Sequence, residues 1–211
     1  MEFVEADLLD EASLKAAVAG STYVVHTASP FYFGAKTEEE VCKPAVDGTM
    51  AVVKACKEHG VKRCVITSSC GAVKFGYAAD DKDRPAENLF TEEHWTKCDT
   101  PGVDFYIKSK TYAEKAAWDY QASLPEAERF ELVTILPSFI IGPAMTSGDS
   151  TSEGIVKSIA SGAMNPIAKT SMGVVDVRDC ALAHLKAIQV DEAKNQRIIT
   201  NRGELWLKEM A

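Results

Sequence analysis

The chain has 211 residues, 46% hydrophobic and 26% charged, with 13 glycines and 8 prolines, a make-up that suits one globular domain and excludes disordered or collagen-like chains. Its net charge of −8, with no basic cluster denser than Lys62-Arg63, would repel a phosphate backbone and argues against a nucleic-acid partner. No apolar run approaches the ~18 residues of a membrane span, and Met1 leads into Glu2 and Glu5 instead of a basic and then apolar leader, so a soluble, unexported, cytoplasmic chain without membrane contact is expected.

Phe3-Val4-Glu5-Ala6 predicts a short strand, and Asp10 can cap a helix whose Leu14, Ala17 and Val18 share a face before Gly20 ends it. Tyr23 to Thr27 is β-branched and aromatic enough for a buried strand that stops at Ser29-Pro30. Val46, Met50 and Val53 recur at helical spacing up to Gly60, with Pro44 expected to start or kink that helix. Cys64 to Ser68 is the third strand, followed by a polar stretch from Gly71 to Gly102 with little periodicity. Loops of that length are usually functional. Helix formers dominate from Asp104 to Leu124, and Leu132 to Leu136 is a strand closed by Pro137. Weaker signals place helices at Glu153–Ala160 and Asp179–Ile188, strands at Val174-Val175 and Arg197–Ile199, and a helical start at Glu204–Met210. Near-continuous apolar strands alternating with helices predict a doubly wound α/β domain with a parallel sheet over residues 1–211. In such sheets ligands bind beyond the carboxyl ends of the strands.

Six cysteines without a Cys-x-x-Cys pair read as reduced thiols, and four scattered histidines suggest no metal site. Tyr106 and Lys110 lie one helical turn apart, where an ammonium can lower the pKa of a phenol, ordinarily ~10, toward useful acid–base work. About 0.5 such spacing arises by chance in a chain of this composition, so placement decides. A second match, Tyr32 to Lys36, contains Gly34 and reads as accidental. Tyr106 sits on a helix, and Thr67-Ser68-Ser69 ends a buried strand that can bring a hydroxyl to the same substrate oxygen.

The chain resembles the extended short-chain dehydrogenase/reductases, within them the dihydroflavonol reductase, cinnamoyl-CoA reductase and aldehyde–ketone reductase group. The resemblance rests on Ala6 to Asp10, His26 to Pro30, Lys43-Pro44 with Gly48, Thr67 to Ser69, Tyr106 to Lys110, Leu136 to Ser138 with Gly142-Pro143, and Val175 to Asp179 with Ala183-His184. It implies a Rossmann-like fold and an NADP-dependent oxidoreductase, NAD being the alternative, acting on a small carbonyl or alcohol substrate. Ser69 would bond the substrate carbonyl, Tyr106 would exchange the proton, and Lys110 would tune Tyr106 and hold the nicotinamide ribose. Asp7 and Leu8 would meet the adenine. Thr27, Ala28, Ser29 and Thr67 would pass near the ribose and pyrophosphate, and Pro137, Ser138, Phe139 and Ile140 would border the nicotinamide. Asp176, Asp179 and His184 read more simply as a capped helix with a packed histidine. The helices of Val46–Val53 and Ala113–Trp118 are the usual dimer surface in similar proteins, which admits a homodimer.

The family's glycine-rich fingerprint, whose backbone amides approach a pyrophosphate, is absent: none of the 13 glycines shows either expected spacing. The matching region begins at the fold's third strand, so the resemblance implies an N-terminally truncated sheet, with substrate-region elements only within 143–175 and 200–211. The missing strands belong between those that Phe3 and Tyr23 begin, leaving a gap of ~14 Å. The Phe3 segment is then expected to re-pair beside Tyr23, to stay loose beside an exposed edge, or to belong with residues upstream. Lys74 stands where dihydroflavonol reductases have a small polar residue, which argues against a flavonoid substrate. Other functions compatible with these residues are a catalytically silent binding chain, a nucleotide-sugar epimerase and a 3β-hydroxysteroid dehydrogenase.

Overall fold

The computed structural model describes residues 2–30, 35–145 and 150–210; Tyr32, and with it the second Tyr/Lys spacing, lies outside them. In chain order the elements are α1 (Glu11–Val18), β1 (Tyr23–His26), α2 (Glu39–Glu58), β2 (Arg63–Thr67), α3 (Phe105–Ser123), β3 (Glu131–Pro137) and β4 (Phe139–Ile141). There follow α4 (Thr151–Ala160), β5 (Ser171–Asp176), α5 (Val177–Gln189), β6 (Arg197–Thr200) and β7 (Gly203–Trp206).

A four-stranded sheet in the order β1-β2-β3-β6 is parallel throughout, with Val65 registered against Val25 on one side and Val133 on the other. Side chains alternate across a strand. Cys64, Ile66 and Leu132 therefore join one core with Val52, Val53 and Ala117 of α2 and α3, while Val65, Val133 and Ile135 join a second with Ala187 of α5. Helices on both faces make this a doubly wound sheet, as the apolar runs predict. Leu132, Val133, Ile135 and Leu136 are fully buried, and each such side chain contributes about 1.5–3 kcal/mol before entropy is counted. Val53, Ala113 and Ala117, on the helices expected to offer a dimer surface, are buried within the chain itself.

Several expectations are corrected. Phe3 to Ala6 forms no strand; Phe3 and Val4 are 89% and 62% exposed and β1 keeps an open edge, so the segment does not re-pair beside Tyr23. A strand needs a partner's amides and carbonyls, and the segment finds none. Pro44 does not start α2 but sits inside it, the helix running from Glu39 to Glu58. The lost hydrogen bond costs about 3 kcal/mol and is offset by burial of Val41, Cys42, Ala45 and Gly48 around it. Gly48 itself admits the Leu8 side chain, which a Cβ there would meet at 2.4 Å.

The expected helical start at Glu204–Met210 is a strand up to Trp206 and a 3-10 turn only over Leu207–Glu209: β7 pairs antiparallel with β5, itself parallel to β4, in a separate three-stranded sheet. Pairing over a long sequence distance overrides a segment too short to show a helical period. The strand expected at Val174-Val175 lies in this second sheet and extends from Ser171 to Asp176. All six cysteines are free. Among the described residues no helix is long and apolar enough to cross a membrane, and no group of three or more His, Cys, Asp or Glu could hold a metal ion.

Candidate active site

β2 delivers the chain to Ser69, whose extended backbone (φ −159°, ψ 150°) opens a short 3-10 turn at Cys70–Ala72. The Ser69 hydroxyl accepts the Gly71 amide at 3.0 Å. A Cβ at position 71 would lie 3.2 Å from Ser69 Oγ, so glycine keeps the flank of that hydroxyl open. Across from it, Asp104 caps α3 by accepting the Tyr106 amide at 2.8 Å, and the Ser69 side chain acts on the Tyr106 phenol in the direction that favours its ionised form. One turn on, Lys110 is 8% exposed and its ammonium donates to the Thr67 carbonyl at 3.2 Å. All three residues thus converge on the carboxyl end of β2. The polar loop after Ser69 is fastened beside them: Thr96 Oγ1 donates to the Gly71 carbonyl at 2.6 Å, and Tyr77 donates to the Trp95 carbonyl at 2.7 Å.

The electrostatics differ from the sequence expectation. Burial raises the Tyr106 phenol above its ordinary value, the Ser69 side chain opposes this, and Cys70 and Asp104 add to it. The Lys110 ammonium is directed at the Thr67 carbonyl, and burial draws its pKa down to about 8 against the pull of Glu114. Helical spacing puts two residues on one face; it does not decide which atom the longer side chain reaches.

A cleft at the ends of β1 and β2 is lined by His26, Ala28, Ser29, Thr67, Ser68 and Lys110, with Thr49, Ile66, Ala113 and Glu114 behind them. Thr27 is exposed beside it. Ser138 is buried at the end of β3, donating from its amide to the Thr200 carbonyl at 3.0 Å, while Pro137 closes that strand and Phe139 and Ile140 open β4. Asp7 and Leu8 do not line the cleft. Asp7 instead makes a turn by accepting the Leu9 amide at 2.8 Å. Asp176 caps α5 through the Arg178 amide, and His184 is packed, as the simpler reading has it. Because a carbonyl only accepts, His184 Nδ1–H must donate to Cys180 O at 2.8 Å, leaving Nε2 to accept from Thr67 Oγ1 at 2.7 Å.

Three polar residues escaped the sequence reading as site members. Glu114 and Arg197 form an ion pair at 2.7 Å behind the cleft, and the only sequence signal was the spacing of Glu114 one turn beyond Lys110. The third, His26, is 7% exposed, and its Nε2 is buried with no hydrogen-bond partner. Burial, reinforced by Lys110, lowers its pKa from 6.5 to about 4. A histidine held neutral in the fold contributes stability that is complete above 6.5 and is lost as pH falls toward 4, because the unfolded chain takes the proton first. Urea unfolding at pH 7 and pH 5 is expected to show about 2 kcal/mol lost over this interval on account of His26. His26→Gln should flatten that part of the slope, and an unchanged slope would refute the assignment.

A doubly wound parallel sheet with Ser69, Tyr106 and Lys110 gathered at one strand end is the architecture of an extended short-chain dehydrogenase/reductase. Residues 1–203 match the 3-beta hydroxysteroid dehydrogenase/isomerase family, and the chain belongs to it. It is 32% identical over 206 residues to cinnamoyl-CoA reductase CAD2 of Medicago truncatula, covering 96% of this chain and 60% of that protein. It is 34% identical over 204 residues to NADPH-dependent methylglyoxal reductase GRE2 of Saccharomyces cerevisiae, covering 89% and 58%. The crystal structure of Gre2 from Candida albicans in complex with NADPH superposes with a TM-score of 0.80 at 33% identity, over 95% of this chain and 63% of that one. The chain thus spans about 60% of the length of these relatives.

The family implies a nicotinamide dinucleotide. The unpartnered His26 Nε2 and the Lys110 ammonium line one small cavity, where they offer a hydrogen bond and a positive charge to a polar ligand group. A glycine-rich cradle for the dinucleotide's pyrophosphate is not among these 211 residues.

Proposed function

We propose that the chain carries the hydride-transfer site of a cytoplasmic NADPH-dependent reductase acting on small aldehydes or ketones, or on the matching alcohols in reverse. The observation supporting this most directly is the gathering of Ser69, Tyr106 and buried Lys110 at the end of β2. When bound, the cofactor supplies the hydride. Ser69 donates a hydrogen bond to the substrate carbonyl oxygen, stabilising the negative charge that grows there. Tyr106, held next to Ser69, gives its phenolic proton to that oxygen. Lys110 holds the ribose hydroxyls, and its positive charge favours the phenolate left behind.

In this reading Thr67, Thr27, Ala28 and Ser29 border the ribose and pyrophosphate, and Pro137, Ser138, Phe139 and Ile140 border the nicotinamide. Asp7 and Leu8 take the adenine end, and residues 143–175 and 200–211 contribute to the substrate region. NADPH is preferred to NAD because GRE2 of S. cerevisiae is named as NADPH-dependent and Gre2 of C. albicans was crystallised with NADPH. A second reading, a binding chain without turnover, is favoured by the missing glycine spacing. Fluorescence titration of the purified chain with NADPH, then addition of a small aldehyde, separates the two. Micromolar or tighter binding with aldehyde-dependent loss of NADPH absorbance is expected. No binding at millimolar NADPH would reject the reductase reading.

A further inference from the structure

Glu114 lies one turn beyond Lys110 on α3, and its side chain is 0% exposed. The carboxylate accepts Ser68 Oγ at 2.5 Å, Thr134 Oγ1 at 2.8 Å and the Trp118 indole N–H at 3.3 Å. Arg197 Nε donates to it at 2.7 Å. The same guanidinium donates to the carbonyls of Glu92 and His94 and lies over the Trp95 ring, 3.5 Å from its centroid. A buried ion pair of this kind often adds less stability than apolar residues of equal volume would, because both ions must be stripped of water. Its value has to be sought in what it holds.

We infer that Glu114 is a positioning residue for the Ser69–Tyr106–Lys110 site: fixed by Arg197, its carboxylate ties the turn presenting Ser69 to the helix presenting Tyr106 and Lys110, and it supplies the buried counter-charge of the Lys110 ammonium. The inference rests on the reductase reading for the purpose it serves, and on geometry for its substance. Ser68 is anchored twice, its amide to the Ile135 carbonyl of β3 at 2.8 Å and its hydroxyl to Glu114 of α3. Ser69 follows directly, so this double anchor sets where its hydroxyl points.

Lys110 meets charge-bearing groups from several elements. His26 of β1 faces it in neutral form and Thr67 of β2 offers it a carbonyl oxygen. Tyr106 stands one turn back on its own helix, Arg197 of β6 lies across Glu114, and His184 of α5 lies beyond Thr67. Glu114 is the anion that acts on Lys110. Burial brings this ammonium down to about 8 even with Glu114 acting against it. Without the carboxylate, burial of the ammonium would go unopposed, and a larger share of the amine would be neutral near pH 7.

The test follows the Lys110 side-chain carbon NMR shift with pH in the purified chain, with the signal assigned by its loss in Lys110→Arg. Glu114→Gln is expected to lower the Lys110 midpoint by about one unit or more, a tenfold rise in neutral amine, while Glu114→Asp stays nearer the parent. If Glu114→Gln fails to fold by circular dichroism, the double variant Glu114→Gln/Arg197→Gln removes both charges and reads the same shift. A folded variant with an unmoved midpoint overturns the inference, and so does collapse of both variants, which would make the pair purely structural. No cofactor or substrate enters the measurement. Failure of the chain to bind NADPH would therefore reject the reductase reading without touching this result.

Discussion

Tyr106→Phe is expected to lower carbonyl-dependent oxidation of NADPH by about 10²–10⁴-fold, the usual contribution of a positioned proton donor. The substitution removes one oxygen from a half-buried ring and leaves the Asp104 cap and the ring packing in place. NADPH affinity, measured by fluorescence, should change by less than about threefold, because the phenol acts chiefly in the transition state. Loss of turnover with affinity kept assigns the proton to Tyr106. Unchanged turnover would assign it elsewhere, and loss of both would mean that the ring serves binding instead. Burial raises the phenol's pKa, so the resting group is the protonated acid needed for carbonyl reduction. The reverse reaction depends more heavily on a cation beside it, which gives alcohol oxidation the steeper dependence on the charge of Lys110.

The sequence was most informative where local chemistry and the fold agree. The runs Cys64–Ser68 and Leu132–Leu136 became the two central strands because strands covered on both faces need apolar side chains in both directions. Asp10, Asp104 and Asp176 each cap a helix through a nearby backbone amide, an interaction contained within a few residues and therefore visible from them. Ser69 and Tyr106 could be paired from their positions at a strand end and on the following helix. What escaped depends on distant partners. β7 exists because β5 lies beside it, and Phe3 to Ala6 is not a strand because nothing pairs with it. Glu114 looked like one more helix former until Arg197, far along the chain on β6, was seen to reach it. The bond from Lys110 to the Thr67 carbonyl escaped for a related reason: it follows from the packing of α3 against β2, which no spacing rule contains.

Arg63→Ala should cause the largest loss of stability among single changes away from the site. Arg63 opens β2, is 1% exposed, and ties the sheet to the far end of α5. Its Nη1 donates to the carbonyls of Ala187, Ile188 and Val190 at 2.7, 2.9 and 2.8 Å. These are carbonyls at the carboxyl end of a helix, where the helix dipole favours a cation; that of Val190 also accepts an amide, from Ala193 at 3.3 Å. Its Nε donates to Glu131 of β3 at 2.7 Å. Alanine would leave the Ala187 and Ile188 carbonyls without their donor and Glu131 with Lys194 alone at 3.3 Å. Removing one partner of such a buried arrangement costs about 3–5 kcal/mol, a fall in thermal midpoint of about 10 °C for a chain of this size. Arg63→Lys keeps the charge without the planar fork that reaches several acceptors together, and should recover only part of the loss. Lys43→Ala, which breaks an ion pair with Asp47 that is more than half exposed, should leave the midpoint unchanged within error. If Arg63→Ala behaved like Lys43→Ala in thermal and urea unfolding, the attachment of α5 to the sheet would have to reside in the apolar contacts of Ala187 and Ile188 with Val65 and Val133 alone.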